Sequence, residues 1–221
     1  MFRNLFIGVV MLLTFLACSK ESIEKPEMYK ALTYFPLEED TYWIYSKTLI
    51  TIDADVDVFD TTYSELKMKF IGYDEEFEHF RLERFSRPDS LSIWEAFDVI
   101  LIKWDKISMH WVEDNYRYVK LTDPVFANKS WDGNIYNIID EWDYYYSDLN
   151  TTFEIDDLIF PNTIRVEKRK EENAIQYVRA FEVFQKSIGP VYEYNADFSI
   201  QGGEINKGNS LELILLKYGI E

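Results

Sequence analysis

From residue 63 to 73 the chain reads YSELKMKFIGY, with Leu66, Met68 and Phe70 on one phase of a two-residue period and Glu65, Lys67 and Lys69 on the other. Such alternation gives an extended segment one dry face and one wet face, the mark of an antiparallel sheet resting on a core. Residues 42–52 (YWIYSKTLITI) form a run of similar length, rich in aromatic and β-branched side chains, which suit a pleated surface. Further strands are expected at 77–85, 91–102, 107–113, 116–121, 134–139, 151–155, 163–170, 191–194 and 211–218, with a turn at Arg87-Pro88-Asp89-Ser90. Residues 174–185 fit both a strand and a helical period, since Ala174, Tyr177, Val178 and Phe181 also recur at helical spacing. With turns at short intervals and no βαβ rhythm, the expected fold is mainly β: an antiparallel, meandering curved sheet, half-barrel or barrel-like, with little helix.

Aromatic residues make up 17% of the chain, which excludes disorder for its bulk. Cys18 is the single cysteine, so the fold has no disulfide and its stability must come from a packed core. The balance of 23 Lys+Arg against 40 Asp+Glu gives a net charge of −17. A chain this acidic, without a basic stripe, repels phosphate backbones, so nucleic acid is excluded as a partner.

The N-terminus carries one charge at Arg3, then an apolar run that closes on Phe15-Leu16-Ala17-Cys18. The run is shorter than the roughly 20 residues a spanning helix needs, and it has the proportions of a secretory leader. Phe15-Leu16-Ala17-Cys18 resembles the lipobox of bacterial lipoproteins. That resemblance implies a signal peptide at 1–17 and a mature N-terminus at Cys18 carrying acyl chains, palmitate among them. It also implies an envelope location, with Ser19 compatible with the outer membrane, periplasmic or surface facing. Residues 18–33 then read as the lipidated N-terminus and a polar tether, with a helical turn near 26–32, and 34–221 as one β-rich domain.

Pro36 and Trp43 stand seven residues apart, as do Pro124 and Trp131. Two similar halves at about 34–122 and 123–221 and a chance echo are both open. Tyr34-Phe35-Pro36-Leu37, Tyr42-Trp43-Ile44-Tyr45, Lys129-Ser130-Trp131 and Ser187-Ile188-Gly189-Pro190-Val191-Tyr192 resemble a loose set of uncharacterised β-rich lipoproteins of Bacteroidota-type bacteria. The resemblance implies a β-rich envelope domain and no activity.

Few residues invite chemistry. His79 and His110 lie inside strand patterns, without a nucleophile elbow or a ligand cluster, and read as structural. Asp53, Asp55 and Asp57 alternate and are the candidates for a calcium site, although Val58 stands where a calcium loop has glycine. Trp142, Tyr144 and Tyr146 mix with carboxylates in DEWDYYYSD and are the candidate ligand-binding residues. No cofactor is called for. The leading expectation is a non-enzymatic, lipid-anchored envelope protein with a binding or scaffolding domain. Its partners would be the membrane, through the acyl chains on Cys18, and an envelope protein. Two alternatives stand beside it: a carrier of lipid or another apolar ligand in a half-barrel cavity, and a surface protein that binds or hydrolyses glycans.

Overall fold

The computed structural model describes residues 29–221, so Cys18 and the leader lie outside the described residues. Twelve strands follow one another: β1 (Thr41–Asp53), β2 (Val58–Asp74), β3 (His79–Arg87), β4 (Glu95–Trp104), β5 (Ser108–Glu113) and β6 (Tyr116–Thr122), then β7 (Ser130–Asp132), β8 (Asp143–Ile155), β9 (Leu158–Glu172), β10 (Gln176–Gln185), β11 (Gly189–Gln201) and β12 (Glu204–Ile220). They form one sheet in the order β6-β5-β4-β3-β2-β1-β12-β11-β10-β9-β8-β7. Antiparallel pairing of β1 with β12 joins two six-strand meanders.

Strand makes up 70% of the structure and helix 4%, and the sheet curls into a nearly closed barrel. The mainly-β, antiparallel, barrel-like expectation therefore holds. The ambiguous segment at 174–185 folds as β10, because Val178, Ala180, Glu182 and Phe184 keep a buried phase at period two.

The segment 134–139 is a correction: it is a turn-rich loop and not a strand. Its polar side chains take the backbone bonds a strand would need. The Asn134 N–H donates to Asp132 Oδ1 at 2.8 Å, and Asn134 Nδ2 donates to the Asp140 carbonyl at 2.8 Å. The strand in this region is the short β7 just before it.

β6 and β7 are the two edges, and an open edge invites pairing with other chains. Here the edges meet and satisfy one another. The Val119 N–H donates to Gly133 O at 2.9 Å, and Trp131 Nε1–H donates to Val119 O at 2.8 Å. The Thr122 N–H reaches the Tyr146 hydroxyl at 2.7 Å, and that hydroxyl donates back to Thr122 O at 2.9 Å.

One end of the barrel is plugged. Tyr29 makes a two-way bridge with Val125, and a short 3-10 helix (Ala31–Tyr34) leads into Phe35. Ala31, Tyr34 and Phe35 are fully buried. The Phe35 ring stacks on Trp43 at 5.5 Å and meets the Trp111 edge at 5.9 Å. Residues 29–33, assigned to the tether from sequence, are thus built into the domain. At the other end, the hairpins β1–β2, β3–β4, β5–β6, β9–β10 and β11–β12 turn around an open mouth.

Candidate functional site

Inward side chains change character along the barrel axis. Near the plug they form an apolar floor. Two positions nearer the mouth, one inward phase further along five of the strands, a charged residue follows. Tyr45 gives way to Lys47 on β1, Leu82 to Arg84 on β3, and Trp111 to Glu113 on β5. Val166 gives way to Lys168 on β9 and Phe184 to Glu182 on β10. These charged residues, with Lys120 and Glu193, line a cavity of about 340 Å³ that also touches Trp111, Trp142 and Tyr144. Its walls reach Phe97, which is 52% exposed, so the cavity communicates with the mouth.

The belt is organised around Glu182, a residue 3% exposed. Its Oε1 accepts from Lys120, which comes across the lumen from β6, and from Lys168 at 2.6 Å. Glu193 lies 3.8 Å from Lys168. Burial alone would raise the Glu182 pKa, but the two ammonium groups overcome it and hold the carboxyl well below its ordinary value. Burial pushes the Lys168 pKa down, with Lys120 adding repulsion and Glu182 resisting. Lys120 also sits over the Trp111 ring at 4.7 Å, a favourable cation–π contact. Arg84 is held between Asp98 and Glu113. Several polar atoms of the lining have no hydrogen-bond partner among the described residues: Trp111 Nε1, Arg84 Nε and Glu182 Oε2. A buried polar group left so is costly.

The residues proposed from sequence separate. Trp142 and Tyr144 do line the cavity, with Trp142 stacked under the Arg169 guanidinium at 4.9 Å. Burial raises the Tyr144 phenol well above its usual pKa, so it stays a neutral donor. Tyr146 is fully buried and serves the β6 seam instead. Asp53, Asp55 and Asp57 do not converge. Asp53 ends β1 and pairs with Lys207 at 2.6 Å, Asp55 sits in a 3-10 turn (Ala54–Val56), and Asp57 closes that turn with a left-handed φ of 57°. The turn breaks the alternation that would have put them on one face. Among the described residues no group of three or more His, Cys, Asp or Glu could hold a metal.

His110 is fully buried beside Ser108 and Asp105, which on paper suggests a nucleophilic triad. The bonds run the wrong way. Arg117 Nε–H donates to His110 Nδ1 at 2.8 Å, so the ring proton sits on Nε2, 2.6 Å from Ser108 Oγ. Ser108 Oγ–H in turn donates to Asp105 at 3.0 Å. A histidine that donates to the serine cannot accept its proton. Its role is structural.

Sequence reasoning missed Lys47, Arg84, Lys120, Lys168 and Glu182. The signal was present, because each occupies an inward phase among apolar neighbours. Comparison with protein-family models, with curated proteins and with solved structures finds no match in any of the three.

Proposed function

We propose that this is a non-enzymatic, lipid-anchored envelope protein whose barrel binds a small amphipathic ligand in its lumen. The observation that carries the reading is the 340 Å³ cavity, whose aromatic walls surround a buried charged belt. A small-molecule site is typically a concavity of about 300–1,000 Å³, mostly apolar, with a few polar groups that fix orientation. A core filled by side chains would have favoured a pure scaffold. The aromatic lumen favours the carrier alternative over the scaffolding one.

Ala180 faces the cavity and is small, so Ala180→Trp fills the lumen from one wall. The overpacking costs about 1–3 kcal/mol, which a domain of this size tolerates. Native mass spectrometry of the protein purified from its own cells is expected to show a discrete adduct that denaturation releases. The folded Ala180→Trp protein is expected to lose it. An adduct kept by that variant would place the ligand elsewhere and sink the reading.

The glycan reading retains one supporting observation. A shallow groove of about 620 Å³ on the outer wall brings Asp140, Glu141 and Asp143 beside Trp142 and Tyr145. Arg169 covers part of the Trp142 ring, which leaves less aromatic surface for a sugar. Retardation of the protein in gels containing soluble polysaccharides tests it, and Tyr145→Ala should abolish any shift.

A further inference from the structure

We propose that the lumen selects a small organic carboxylate, its head group held at the belt by Lys120, Lys168 and Lys47 and its apolar body lying toward the mouth. This rests on the lumen-binding reading above and narrows it to a ligand class.

The chain is strongly acidic as a whole, at −17, yet its lumen is not. Five cationic side chains (Lys47, Arg84, Lys120, Lys168, Arg169) line the cavity against three anionic ones (Glu113, Glu182, Glu193). Asp98 and Asp197, which pair with Arg84 and Arg169, lie outside the lining. Lys47 is the lining cation with no ion-pair partner among the described residues. That leaves one lining cation for a head group to meet, which suits a singly charged carboxylate better than a dianion.

The hydrogen-bond account points the same way. Lys120 and Lys168 carry six N–H donors between them, and both make their close contact with the same oxygen, Glu182 Oε1. A neutral apolar ligand would leave the donors unpaired, and a cation would meet buried ammonium groups at close range. A carboxylate accepts from several donors at once, and charge-assisted bonds of this kind are roughly twice as strong as neutral ones. Above the belt the wall turns apolar and aromatic again, with Leu211, Ala180, Tyr118, Trp142 and Phe97. That order suits an anionic head inserted first and an apolar body behind it.

The test is calorimetric titration of the folded protein, stripped of bound adduct, with decanoate, decanol and decyltrimethylammonium. Decanoate is expected to bind at least tenfold more tightly than either of the others. Lys47→Met removes a charge with no ion pair, leaves the Glu182 cluster intact, and should lower decanoate affinity about tenfold while leaving decanol unchanged. Lys168→Met should do the same, with Lys168→Arg restoring most of the affinity. Decanol or decyltrimethylammonium binding as well as decanoate, and blocked by Ala180→Trp, would overturn the carboxylate inference while leaving the lumen-binding reading intact. Binding of none of the three would overturn both.

Discussion

Glu182 keeps two ammonium groups, both at least nine-tenths buried, from facing each other without an anion between them. Removing one member of such a cluster strands the rest in a medium that solvates charge poorly, at a cost of about 3–5 kcal/mol. Glu182→Gln is therefore expected to lower the urea midpoint substantially at an unchanged m-value. The triple change Glu182→Leu, Lys120→Met and Lys168→Met should recover most of that loss and abolish carboxylate binding. His110 sets a second expectation. Burial first, then the neighbouring Arg117 charge, lowers its pKa from 6.5 to about 4. Between those values the unfolded chain binds more protons than the folded one, so stability is full above about pH 6.5 and falls as the pH drops toward 4. Unfolding titrations across this range should show the slope, and His110→Asn should flatten it. At this scale the sequence was partly legible. Glu182 sits in the buried phase of Val178, Ala180 and Phe184, and a charge in that phase is visible in the letters. Its partner Lys120 lies 62 residues away, and no local pattern names it.

Strand identity was the most legible level, because period-two alternation reports on a sheet with one dry face wherever that face is continuous. The exception is 134–139, where the apolar residues keep no two-residue period and Ile135 and Ile138 lie exposed on a loop. Asn134 Nδ2 donates to the Asp140 carbonyl and Asn137 Oδ1 accepts from the Arg117 N–H, and alternation carries no information about such competition. Register is guarded by glycine at Gly208, where φ is +145° and an added Cβ would lie 2.0 Å from the Asp197 carbonyl oxygen. Gly208→Ala must strain the backbone and push β11 from β12, with an expected cost of about 1–3 kcal/mol and a melting point lowered by several degrees. At the seam, a Cβ on Gly133 would meet the Tyr144 ring at 2.5 Å. Gly133→Ala is accordingly expected to displace a cavity wall as well as the β6–β7 closure, and to lower both thermal stability and decanoate affinity. A Gly133→Ala protein with unchanged melting and binding would show that the seam yields without disturbing the lumen.

Between the nearly closed barrel and Cys18 lie residues 18–28, eleven residues whose contour is at most about 40 Å. Cys18→Ser is expected to release a folded barrel into the soluble fraction, measured by membrane fractionation and circular dichroism. The chain enters the barrel at Tyr29, beside Val125, and that is the plugged end. If Cys18 carries acyl chains, as proposed, they would hold the protein from its plugged end. On that reading the rim, at the far end of the barrel, would open toward the aqueous compartment. Cargo would be exchanged with water or with a facing protein, and the barrel's own membrane would serve as its mooring without supplying or receiving what it holds.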